Sequence, residues 1–308
     1  MTYYGALKNA EKNLENAGVP DSANDARLML QAASGRSSAS LLADRDCEMT
    51  GQESLKFESM VSRRLKREPL QHILGIWEFM GYDFYCSPDC LIPRQDTELL
   101  VLTAFEAVKN ISGKRTDTHD ESAFSGDRIN VLDLCTGSGC VIISLKKLCG
   151  DTIGAAGADI SLPALETARK NALLNKVSVD FFQSDMFEKV GDNSFDIITA
   201  NPPYVETGVI AGLQPEITEY EPWIALDGGE DGLKHYRTII NGAGKHLKTG
   251  GSIIMEIGDD QGEAVSSMLT GAGYDSVVIR KDLSGADRVA EAVWNGARCR
   301  EQSARHGG

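Results

Sequence analysis

The apolar positions change their period along the chain, and each change marks a different kind of structure. Over the first seventy or so residues they recur at helical spacing, with Leu7, Ala10, Leu14 and Ala17 on one stripe. Gly18-Val19-Pro20 stops that run, Asp21 or Ser22 can cap a second helix through Leu28, Leu30 and Ala33, and Gly35 ends it. A third short helix fits 37–43. Thr50 and Glu53 then have the spacing of a capping box, opening a longer helix through Phe57, Met60, Val61 and Leu65. A small helical bundle is predicted.

Between 75 and 90 the texture becomes aromatic and alternating (Trp77, Phe79, Tyr82, Phe84) around Gly81, which predicts a β-hairpin linker. Residues 91–108 return to helical texture after Pro93, and the polar stretch 111–128 has no apolar period and reads as an exposed loop. Beyond Arg128 short apolar runs at 129–134, 153–160, 177–182, 195–200 and 252–257 alternate with helical segments, the pattern of a parallel α/β sheet. Two last runs, 276–279 and 288–294, have no helix between them and should pair antiparallel. The division expected is a helical domain at 1–74, a hairpin linker at 75–100, an α/β domain at 101–295 and a tail at 296–308.

Composition narrows the function. The 308 residues are 42% hydrophobic and 25% charged, an ordinary globular balance, and the net charge of −14 repels a phosphate backbone at long range, so nucleic acid is disfavoured as a partner. No apolar run reaches membrane-spanning length and the opening MTYYGALKNAEK lacks a signal-peptide core, so a cytoplasmic protein without a membrane partner is expected. The seven cysteines form no CxxC pair and have no histidine at metal-ligand spacing, so no metal is expected. A monomer is expected as well.

The chemistry is concentrated at predicted strand ends. Val131 to Leu134 runs into Cys135-Thr136-Gly137-Ser138-Gly139 and then a helix, which is a strand, a glycine-containing turn and a helix at the ligand-binding edge of an open sheet. A dinucleotide fingerprint wants a third glycine where Ile142 stands; an acid four residues before a GxG, here Asp133, instead suits S-adenosylmethionine. Asp159, twenty residues beyond Gly139, can accept from both ribose hydroxyls of an adenosine. Asp185 can accept from an adenine amino group while Met186 covers the ring. A plain β–α turn would explain the glycines alone, but not Asp159 at this spacing.

Asn201-Pro202-Pro203-Tyr204 follows the run 195–200 directly. A planar amide or aromatic amine is a poor nucleophile because its lone pair is delocalised. The Asn201 side-chain carbonyl and the Pro202 backbone carbonyl can accept both hydrogens of an NH2 group and direct the nitrogen at a methyl donor. The two prolines set this geometry in advance, and Tyr204 is expected to lay its ring against the acceptor.

Taken with Pro69 to Gly75, Leu91-Ile92-Pro93-Arg94-Gln95-Asp96-Thr97-Glu98, Gly228-Gly229-Glu230-Asp231-Gly232-Leu233, Glu256-Ile257-Gly258 with Gln261, and Gly285 to Arg288, the chain resembles the release factor glutamine methyltransferases. The resemblance implies a class I SAM-dependent methyltransferase fold, Rossmann-like with a seven-stranded sheet, behind an N-terminal helical domain. It implies S-adenosylmethionine as cofactor, contacted by Cys135 to Gly139, Asp159, Met186 and Asn201. Class 1 peptide chain release factors would be the protein substrate, with Asn201 to Tyr204 at the glutamine of their Gly-Gly-Gln motif. Gln95, Cys135 and Met186 stand where the family commonly has proline, glycine and tryptophan. A ribosomal-protein glutamine methyltransferase and an adenine-N6 methyltransferase of DNA or RNA are the alternatives that share this active-site motif.

Overall fold

The structure, a computed structural model, describes residues 1–117 and 128–296. Its helices and strands group into two compact units. One comprises Met1–Trp77, Cys86–Pro88 and Leu213–Glu221; the other holds the remainder.

The first unit contains α1 (Tyr3–Asn16), α2 (Ser22–Ser34), α3 (Ser38–Ala43), α4 (Gly51–Leu65) and the short α5 (Leu70–Leu74), which periodicity did not predict. Tyr3, Ala6, Ala10 and Leu14 form the buried stripe of α1 and meet Met29, Leu30, Phe57 and Val61 in one apolar cluster. Thr50 and Glu53 make the predicted capping box of α4, and Gly35 ends α2 in the left-handed conformation. The sequence division left Leu213–Glu221 with the α/β region, but this segment belongs to the helical unit. Glu216 on it accepts from Arg67 Nη2 at 2.6 Å and Arg64 Nη1 at 2.8 Å, and Arg64 Nε also reaches Asp25 Oδ2 at 2.6 Å. Burial pushes the Glu216 carboxyl up, but its two arginine partners outweigh that and hold it below the ordinary range.

A hairpin of β1 (Ile76–Phe79) and β2 (Tyr82–Tyr85) turns through Met80 and Gly81, both at positive φ as a tight two-residue turn requires. Residues 91–94 are not helical. Pro93 and a 3-10 turn at Gln95–Thr97 delay the helix, so α6 runs Glu98–Asp117. It therefore extends through 111–117, where a loop was predicted; the rest of that polar stretch, 118–127, lies outside the described residues.

Next come β3 (Ile129–Leu134), α7 (Cys140–Cys149), β4 (Ile153–Asp159), α8 (Leu162–Leu174), β5 (Asp180–Gln183), β6 (Phe195–Ala200), α9 (Thr207–Ile210), α10 (Pro215–Thr218), α11 (Lys234–Ala243), β7 (Leu247–Glu256), α12 (Gly262–Gly271), β8 (Tyr274–Lys281) and β9 (Asp287–Trp294). The third strand starts later than the run at 177 suggested, because the Val177 amide is taken by the Ala172 carbonyl at the end of α8. Seven strands lie in the order β5-β4-β3-β6-β7-β9-β8, parallel up to β7, with β9 antiparallel to both β7 and β8 as expected from the missing helix. Alternate residues face opposite sides. Leu132 and Ile198 join α11 and α12 on one face; Val131 and Ile197 join α6 and α7 on the other. The strand order reverses between β3 and β6, the position where open α/β sheets hold ligands beyond their carboxyl ends. No helix among the described residues is long and apolar enough to cross a membrane.

Candidate active site

The register of the sheet brings the motifs together. Leu134 pairs with Ala200 and with Ala158, so the chain leaves β3 at Cys135, β6 at Asn201 and β4 at Asp159 along one edge. Neighbouring strands are about 4.8 Å apart, so these three exits are adjacent. A cavity of about 600 Å³ opens there, lined by Cys135 to Ser138, Asp159, Asp185, Met186, Asn201 and Pro203. That volume suits a small-molecule ligand.

Three predicted residues sit elsewhere. Gly139 does not face the cavity; a side chain there would meet Ile143 Cδ1 at 2.8 Å and Ala168 and Phe181 at 3.2 Å, so it lets α7 close onto its neighbours. Pro202 is buried outside the lining. Tyr204 does not present its ring to the cavity: the side chain packs on the core, and its hydroxyl donates to Glu256 Oε1 at 3.2 Å. Burial pushes that phenol well above its ordinary range.

The glycine turn is held by its own carboxylates. Asp159 Oδ2 accepts from the Gly137 amide at 2.8 Å, and Oδ1 accepts from the Ser161 amide at 2.9 Å. Burial still raises the Asp159 carboxyl, the backbone amides of Ser161, Gly137 and Ile160 opposing it. Asp133 is 1% exposed and accepts from Thr136 Oγ1 at 2.6 Å and Thr199 Oγ1 at 2.7 Å, linking the β3 turn to β6. Burial pushes its carboxyl up to about 7. Cys135, where the family commonly has glycine, adopts φ +53, and Met186 adopts φ +44. Their sulfurs approach to 3.9 Å. A left-handed conformation at a non-glycine residue costs about 1–2 kcal/mol, which is the physical reason glycine suits position 135.

Several lining residues carried no role in the sequence. Leu91 to Arg94 and Thr97, Trp223 and Ile224, and Lys234, His235 and Thr238 all border the cavity. The first group lies inside a stretch that carries the family resemblance but no chemical motif. The second, with Trp223 and Ile224 half exposed, lies in a single 3-10 turn, Trp223–Ala225, too short to show a period. Thr97 is buried, and its Oγ1 accepts from Asn201 Nδ2 at 3.4 Å.

A glycine turn after the central strand, acids at the neighbouring strand ends and the β5-β4-β3-β6-β7-β9-β8 sheet define a Rossmann-like class I methyltransferase. The hMettl16 catalytic domain, solved with an RNA hairpin, has this fold, with a TM-score of 0.52 at 14% identity over 79% of this chain and 81% of that one. Residues 5–75 match the PrmC N-terminal domain and 121–215 the methyltransferase small domain. The chain is 39% identical to the release factor glutamine methyltransferase of Agrobacterium fabrum over 91% of this chain and 93% of that one. With the same enzyme of Thermodesulfovibrio yellowstonii it shares 42% identity over 79% and 82%. The chain belongs to the release factor glutamine methyltransferase family.

Proposed function

We infer that this chain transfers a methyl group from S-adenosylmethionine to the side-chain amide nitrogen of the glutamine in the Gly-Gly-Gln motif of class 1 peptide chain release factors. The cavity's donor set fits the cofactor. Asp133, Asp159 and Asp185 supply carboxylates for a cationic ligand with ribose and amino hydrogens, and Met186 and Ile160 add apolar surface for a ring. When bound, the cofactor supplies an electrophilic methyl on a positive sulfur.

The observation that carries the reading is the placement of Asn201. It lines the cavity beside the glycine turn, and its Nδ2 is committed to Thr97 Oγ1. Its Oδ1 is then the atom that accepts from an incoming NH2 group; the second hydrogen is assigned to the Pro202 carbonyl, which does not border the cavity and must turn toward it when the acceptor enters. Held by both, the amide nitrogen keeps its lone pair toward the methyl, and orientation replaces strong nucleophilicity. As the nitrogen bonded the methyl carbon, the carbon–sulfur bond would break with its electron pair left on sulfur as a neutral thioether, and the nitrogen, made acidic, would lose its proton to solvent, so no strong base is required. The helical unit is read as the surface that grips the release factor beyond its glutamine loop, since one side chain offers too little area for specificity. The enzyme is read as a monomer acting on protein, in keeping with its net charge of −14.

The test is methyl transfer from labelled cofactor to a release factor with its motif glutamine intact or changed, alongside ribosomal protein as a second acceptor. Label on the intact release factor alone is expected; equal label on both release factors would contradict the reading.

A further inference from the structure

The segment that leaves Asn201 and the two prolines is braced from outside by one side chain that the proposed reaction does not use. Gln261, buried at the start of α12, makes four hydrogen bonds through its amide. Its Nε2 donates to the Tyr204 carbonyl at 3.0 Å and to the Gly232 carbonyl at 3.5 Å. Its Oε1 accepts from the Gly258 amide at 2.9 Å and from the Tyr236 hydroxyl at 3.1 Å. The polarity of the site is therefore fixed: two carbonyls demand a donor on one side, and a backbone N–H demands an acceptor on the other.

The surroundings allow Tyr204 little other placement. A β-carbon on Gly228 would fall 2.7 Å from the Tyr204 carbonyl carbon, and one on Gly232 would fall 2.6 Å from both the Tyr204 oxygen and Gln261 Nε2. Val205 bonds on through its amide to the Leu226 carbonyl at 3.0 Å, and its own carbonyl takes the Gly228 amide at 2.7 Å. At the other end of the Tyr204 side chain, the hydroxyl reaches Glu256, which is 2% exposed.

We propose that Gln261 is a positioning residue for methyl transfer: by holding the Tyr204 carbonyl against the Gly228–Gly232 loop, it sets the course of Asn201-Pro202-Pro203 and hence the two carbonyls that orient the acceptor amide. It touches neither cofactor nor acceptor. The inference rests on the proposed function and names a residue that determines its rate.

Gln261→Glu tests it with almost unchanged shape. When ionised, the new carboxylate sets oxygen against the Tyr204 and Gly232 carbonyls and displaces the segment; when protonated, it regains one donor. The expected result at pH 8.5 is a kcat lowered roughly ten- to hundredfold relative to wild type, since a misplacement near 1 Å costs about a hundredfold. S-adenosylmethionine affinity should stay within about twofold. The ratio to wild type should recover as pH falls and the carboxyl takes up its proton. Gln261→Leu, which cannot donate at any pH, should lose activity without recovery. Hydrogen exchange of the Val205 and Gly228 amides should be faster in both variants, a readout that needs no substrate. Wild-type rates at Gln261→Glu and pH 8.5, unchanged exchange, or a loss of cofactor binding in step with activity would each overturn the proposal. A wild-type enzyme that left the release factor unmethylated would instead count against the function, leaving the exchange result to judge Gln261.

Discussion

The turns after β3 and β6 leave adjacent strands at the same edge of one sheet, yet they are held in different ways. Residues 135–139 are fixed from within and from the β4–α8 stretch that follows: Asp133 takes Thr136, Asp159 takes the Gly137 amide, and Asn171 Nδ2 on α8 donates to the Ser138 carbonyl at 3.0 Å, so none of these partners lies more than 33 residues away. Residues 201–204 make few bonds among themselves. Their partners come from far along the chain, with Thr97 at Asn201, Glu256 at the Tyr204 hydroxyl and Gln261 at its carbonyl. On the proposed function the first turn holds a cofactor used by many enzymes, and its partners come from one neighbouring stretch of chain. A turn that must aim a weak nucleophile needs its position fixed by independent segments, since orientation is its whole contribution.

Substitutions at the two turns should separate these roles. The largest effect is expected at Asn201→Ala, which removes one acceptor of the amide clamp: kcat should fall on the order of a hundredfold or more, with cofactor affinity reduced less than at Asp159→Ala and the thermal midpoint little changed, as measured by single-turnover methyl transfer and calorimetry. At the other turn, Asp159→Ala removes a carboxylate that holds two backbone amides. Bonds to a charged group are worth about 1.5–3 kcal/mol, so cofactor affinity should weaken roughly ten- to hundredfold in a titration, while kcat at saturation changes less.

Asp133 sharpens the comparison through pH. Its carboxyl titrates near 7 in the folded protein, above its range in the unfolded chain. The fold therefore favours the protonated form. That contribution to stability is fully present below the unfolded value and is lost as pH rises through about 7. A cationic ligand prefers the ionised form, so cofactor binding should tighten as pH rises from 6 to 8, by roughly five- to tenfold. Asp133→Asn should flatten both the stability profile and the binding profile; unchanged slopes would count against this assignment. The smallest effect is expected at Cys135→Gly, which relieves a left-handed cysteine at the entropic cost of a glycine. A net stabilisation of about 1 kcal/mol or less, seen as a small rise in thermal midpoint, is predicted.

The same contrast explains what the sequence disclosed. Glycines, acids and prolines at strand ends are local signals, and the strands, the capping box and the antiparallel final pair all follow from patterns within a few residues. Helix α6 ran past its apolar stripe into polar residues whose helical state no period reveals. Residues 91–94 looked helical by composition, although Pro93 keeps them extended at the cavity wall. Tyr204 was expected to face the acceptor because aromatic rings suit planar groups, but Glu256 and the core provide a better site for a buried phenol. The roles of Gly232 and Gln261 depend on three segments meeting, and no local pattern encodes that meeting.

The most direct measurement is a crystal structure of the enzyme with a non-reactive cofactor analogue and a peptide carrying the Gly-Gly-Gln motif. The glutamine amide nitrogen is expected within about 3.2 Å of both Asn201 Oδ1 and the Pro202 carbonyl oxygen, with its remaining face toward the analogue's sulfur position. An amide nitrogen bonded elsewhere, or Asn201 Oδ1 turned from the acceptor, would contradict the amide clamp.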